Sequence, residues 1–128
     1  MKYFISKEVK LDFESAEKKV LEELGKQGFG ILTQIDIQEK LKEKLDVNFR
    51  KYKILGACNP PYAYKALQLE DQIGLMLPCN IVLQEHVSGI VEVSAVDPIA
   101  SMLAVENPNL ESIAKEIKAK LELVIKSV

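Results

Sequence analysis

Of the 17 basic residues in this 128-residue chain only Arg50 is an arginine. That scarcity, with a net charge of -2, argues against a dedicated nucleic-acid surface, because the planar guanidinium fork is what grips phosphates and guanine edges at two points. Histidine occurs once and cysteine twice, and the cysteines, Cys58 and Cys79, are not a CxxC pair. The paired ligands from which closed zinc sites are built are therefore missing. No run approaches the roughly eighteen apolar residues of a membrane-spanning helix. The opening MKYFISKEVKLDF carries lysine too often for a secretory signal. No catalytic triad, phosphate loop or dinucleotide fingerprint is legible either. These absences predict a cytoplasmic protein with reduced thiols and without metal, cofactor, nucleic-acid or membrane partner.

What is present is ordinary globular material, 48% hydrophobic and 28% charged, and a chain of this length hides roughly two-thirds of its unfolded surface on folding. One domain over residues 1–128 is expected. Lys2 to Lys10 alternates as a strand with one buried face. Asp12 stands where a helix cap belongs, and Phe13, Ala16, Val20, Leu21 and Leu24 then recur at helical spacing to about Gln27. A second strand follows from Phe29, and Asp36 to Glu39 reads as a capping box opening a short helix with Ile37, Leu41 and Leu45 on one row. Tyr52 to Ala57 is a third strand.

Asn59-Pro60-Pro61 predicts a helix to about Glu70, with Asn59 as cap and Ala63, Tyr64, Ala66 and Leu67 inward. Ile73 to Leu77 and Asn80 to His86 read as strands interrupted by Pro78, and Ser88-Gly89 as the turn into a hairpin partner, Ile90 to Val96. Asp97-Pro98 and Asn107-Pro108 repeat the cap-then-proline device. The last helix carries a continuous stripe of Leu110, Ile113, Ala114, Ile117, Leu121, Val124 and Ile125. The order predicts an α+β fold, a mostly antiparallel sheet covered by two main helices with short additional helices.

Unusual chemistry is concentrated between Lys53 and Leu83, where each cysteine is followed by an asparagine. If the strands bearing them are neighbours, Cys58 and Cys79 meet at a small pocket walled by Asn59, Tyr62 and Asn80. A thiol beside a helix start can be activated, which singles out Cys58, although two prolines remove the amides that would do it. The competing reading is that both cysteines are small buried hydrophobes. As metal ligands they could hold a soft ion such as Cu(I) between them. His86, about 23 Å along an extended strand from Cys79 at ~3.3 Å per residue, does not join them. Glu85 and His86 point to opposite faces and make no proton-transfer pair. Asp36, Asp97 and Asn107 are explained by capping.

The segments GACNPPYAYKAL, LPCNIVL and VSAVDP, with GFGILTQID before them, resemble the domain-of-unknown-function family 302 over nearly the whole chain. The resemblance implies a small bacterial or archaeal α+β fold that pairs as a dimer, and it carries no reaction or ligand. Three functions stand side by side. The first is a small-ligand or stress-related binding module with its pocket at the Cys-Asn segments. The second is a thiol-dependent enzyme using Cys58. The third is a homodimeric interaction protein, in which apolar surplus on the last helix is buried against a second copy.

Overall fold

The computed structural model describes residues 2–128. Asp12 starts the first long helix as expected: its carboxylate accepts from Ser15 N at 2.7 Å, and α1 runs Phe13–Lys26. It turns Ala16, Val20 and Leu24, all fully buried, toward a five-stranded sheet. The strands are β1 (Phe4–Val9), β2 (Gly30–Asp36), β3 (Tyr52–Cys58), β4 (Cys79–Glu85) and β5 (Val91–Val96). Their order is β1-β5-β4-β3-β2, every pairing antiparallel. A long helix, α5 (Glu111–Ser127), lies beside α1 and lowers Ile117, Leu121, Val124 and Ile125 onto the same face. The α+β fold with two main covering helices is what the sequence pattern predicts.

Period-two alternation decides which side chains are sealed. Leu55, Ala57, Ile81, Leu83, Val91, Val93 and Ala95 point under the helices and are at most 1% exposed. Their neighbours Tyr52, Ile54, Val82 and Val96, with Phe4 of β1, occupy the opposite face and are only partly buried. Cross-strand register aligns the core rows, with Ile81 opposite both Leu55 and Ala95. At the β2 edge the pairing slips between Ile31 and Thr33, leaving Leu32 65% exposed.

Three shorter helices complete the chain: α2 (Ile37–Leu45), α3 (Pro60–Leu69) and α4 (Pro98–Met102). The Asp36 carboxylate accepts from Glu39 N at 3.0 Å, the cap half of the expected box. No residue of α2 is buried, so its apolar row covers nothing in the core. In α3 Ala66 is buried, but Tyr64 and Leu67 face solvent, contrary to the inward placement expected of them. The helix rests on the rest of the protein along a stripe only about as wide as Tyr62, Ala63 and Ala66.

A further expectation is corrected. Ile73 to Leu77 is not a strand: Ile73 to Met76 belong to a 3-10 helix, Asp71–Met76, and Leu77 follows it as the cap. Both edges of β3 are already taken by β2 and β4, and only Ile73 of the run is fully buried while Leu75 is 80% exposed. Local i+3 bonds such as Ile73 N to Glu70 O, 3.2 Å, satisfy the backbone instead. On the last helix, six of the seven stripe residues, Leu110, Ala114, Ile117, Leu121, Val124 and Ile125, are buried within the chain itself and Ile113 is half-buried. Its own sheet and α4 use most of that surface, so the stripe lends little support to a dimer through this helix.

Candidate functional site

Ala57 of β3 lies directly opposite Cys79 of β4. Cys58, the last residue of β3, is therefore one step from Cys79 at the same end of the sheet. Both are free thiols and both are partly buried. The chain leaves Cys58 through Asn59 into α3, and here the sequence reading is revised. Asn59 caps nothing with its side chain. Its Nδ2 donates to the backbone carbonyl of Gln27 at 3.0 Å, across to the end of α1. Gln27 is the last residue before the left-handed turn at Gly28, φ 85°, and the Asn59 amide packs 3.4 Å from where a Cβ on Gly28 would stand. A helix-terminal carbonyl without an intrahelical partner is thereby satisfied, and the two helices are tied together. Asn59 is 7% exposed.

The start of α3 has no spare amides. Pro60 and Pro61 lack N–H groups, and the next two, Tyr62 N and Ala63 N, both donate to the Asn59 carbonyl at 3.1 and 3.0 Å. A thiolate or oxyanion near Cys58 would find no free backbone donor there. Cys79 is disfavoured as a nucleophile for a different reason. Burial, helped by the neighbouring Cys58, pushes its thiol up from an ordinary 9.0 to about 11, so at neutral pH it is protonated and behaves as a soft apolar group. Among the described residues no group of three His, Cys, Asp or Glu side chains could hold a metal ion.

Between the end of the sheet and the helices α3, α4 and α5 lies a cavity of about 200 Å³, and Cys58, Asn59, Tyr62 and Cys79 all stand on its wall. Its remaining lining is apolar, from Phe29 after α1, Ala63 and Ala66 on α3, Met102 on α4, and Ile113 and Ile117 on α5. Every buried side-chain polar atom among the described residues has a hydrogen-bond partner, so the interior has no stranded donor or acceptor.

Asn80, expected beside Cys79 in the same pocket, is not in it. As the next residue of β4 it points to the opposite face, opposite Gly56, and borders a shallow hollow there with Tyr52, Gln84, Glu92 and Ser94. Within β4, strand alternation turns Asn80 away from the side that Cys79 faces.

Sequence reasoning also missed the polar cluster on that face. His86 Nε2 lies 2.9 Å from Glu92 Oε1 across the hairpin, not near Glu85. Arg50 donates to Gln84 at 3.0 Å while its guanidinium stacks 4.4 Å from the Phe49 ring. The signal for the His86–Glu92 pair was the hairpin register, once the Ser88-Gly89 turn is fixed. The helix α5 wall of the cavity carries no local signal, since Ile113 and Ile117 read only as core.

The fold and the cavity define a two-layer α+β protein whose sheet end and helices line a small apolar pocket that opens to solvent past Leu32 and Leu67. A family model described as Domain of unknown function DUF302 matches residues 5–128, and the chain belongs to that family. It is similar to the crystal structure of an uncharacterized conserved protein DUF302 from Bacillus stearothermophilus, at 26% identity, over 99% of this chain and 98% of that one, with a TM-score of 0.93. No curated protein matches. No helix among the described residues is long and apolar enough to cross a membrane.

Proposed function

We propose that the protein binds a small, predominantly apolar molecule in the cavity beside Cys58 and Cys79. The observation that carries this reading is the cavity itself, about 200 Å³ with an almost wholly apolar lining. An apolar cavity of about 150 Å³ takes up benzene, whereas drug-sized ligands occupy roughly 300 to 1,000 Å³. The fitting ligand is therefore a single ring or a short branched chain. The protonated Cys79 suits such a wall, and the amide-free start of α3 speaks against a thiol-dependent reaction at Cys58.

Ala63 lines the cavity without being fully buried, so a larger side chain there fills the space from its rim. Indole at millimolar concentration is expected to raise the melting temperature of the native protein by mass action, and Ala63→Phe to abolish the rise. An equal rise in both proteins, or none in either, contradicts the reading.

A second reading is favoured by the opposite sheet face, where Phe4, Tyr52, Ile54, Val82 and Val96 form an apolar patch interleaved with Asn80, Gln84, Glu92 and Ser94, and neither α1 nor α5 covers it. Two copies packed sheet to sheet would bury it, as sandwiches do. Light scattering on the eluting protein is expected to give twice the chain mass, and the mass of one chain at micromolar concentration contradicts pairing.

A further inference from the structure

We propose that the ligand is a small apolar carboxylate, its hydrocarbon part in the cavity and its anionic head at the rim beside Tyr62. This rests on the cavity being a binding site and adds the chemical class of its occupant. Tyr62 forms part of the wall, and two lysines from different helices converge on its ring. Lys65 of α3 stands 5.9 Å from the ring centroid and Lys120 of α5 stands 6.0 Å from it. Those distances are at the outer limit of useful cation–π attraction, about 6 Å, so the ring neutralises neither charge.

Several lysines elsewhere are paired with acids, while others among the described residues, such as Lys18 and Lys126, are not. Lys19 and Lys26 share Glu23, Lys53 meets Glu17, Lys115 meets Glu111 and Lys118 meets Asp97. Among the described residues neither Lys65 nor Lys120 has an acidic partner within 4.0 Å, although Glu116 sits one turn before Lys120 on α5. Lys120 is also partly buried, which leaves its charge less well hydrated than that of a free surface lysine. The Tyr62 hydroxyl has no protein partner among the described residues, and since no buried side-chain polar atom is unpaired it is open to solvent and adds a neutral donor. Lys120 belongs to the turn that follows Ile117, a cavity-lining residue, so the cation and the apolar wall come from one stretch of one helix. Two cations and a phenol at the edge of an apolar space match one compact anion on a hydrophobic body.

Phenylacetate and 2-phenylethanol share a ring and chain and differ in charge, which separates the two levels of the argument. By calorimetric titration at low salt, phenylacetate is expected to bind the native protein at least about tenfold more tightly, the scale of one charge-assisted hydrogen bond. Added salt should erode that preference. In the Lys65→Gln, Lys120→Gln double variant the two compounds should bind alike, with 2-phenylethanol affinity unchanged. Equal binding of both by the native protein, or a preference that survives the double substitution, overturns the carboxylate assignment while leaving the cavity as a site. Binding of neither overturns the site and the assignment together.

Discussion

Cys79 shows how one position can carry a reactive atom and still be inert. Desolvation favours the neutral thiol, and the native value of about 11 against an ordinary 9.0 leaves about one thiol in a thousand ionised at pH 8, compared with about one in ten for an ordinary thiol. Alkylation of Cys79 by iodoacetamide at that pH, followed by peptide mass spectrometry, should run about a hundredfold slower than for the unfolded chain, from protonation alone. A rate equal to that of the unfolded chain contradicts this environment. The same shift couples to stability. The folded state holds its proton more tightly than the unfolded one, so the contribution is fully present below about pH 9 and is lost as pH rises through about 11. Denaturant midpoints should therefore fall across that alkaline window in the native protein and fall less in Cys79→Ser, which lacks the thiol.

At the scale of elements, capping residues explain which boundaries were legible. Asp12 and Asp97 cap as their positions imply, Asp97 accepting from Ile99 N at 2.9 Å, and Asn107 accepts from Asn109 N at 3.0 Å. Asn59-Pro60 looks identical in sequence and behaves differently. Its second proline removes the amide that a cap would take, and an orphan carbonyl at Gln27, distant in sequence, claims the side chain instead. Local chemistry identified the helix start but could not see the partner. The 3-10 segment at Asp71–Met76 was misread for a related reason, since alternation cannot reveal that β3 and β4, the strands on either side of it in sequence, already have both edges paired. Asn59→Ala removes the tie and strands the Gln27 carbonyl, which should cost about 1 to 3 kcal/mol. Asn59→Asp places an acceptor against an acceptor and should cost more. Chemical denaturation of the two variants checks the order, and an Asn59→Asp protein as stable as the native one contradicts the tie.

For the molecule as a whole, the candidate site was half visible. Cys58, Asn59, Tyr62 and Cys79 converge because Ala57 pairs with Cys79, and adjacency of their strands was the condition stated by the sequence. The other half of the wall, from Met102 to Ile117, arrives by helix packing after the sheet has closed, and no spacing rule links it to the cysteines. Asn80 was lost to simple alternation. What unites the parts is that the long helices shut the sheet's central rows and leave a cavity at its Cys-bearing end.

Crystals of the protein pressurised with xenon test that picture most directly, because xenon enters dry apolar cavities of this size. The account predicts a xenon atom within van der Waals distance of Cys79, Ala66 and Ile117, and its absence from the same place in Ala63→Phe. Ordered water in the cavity, or side chains collapsed across it with no xenon bound, would contradict the account.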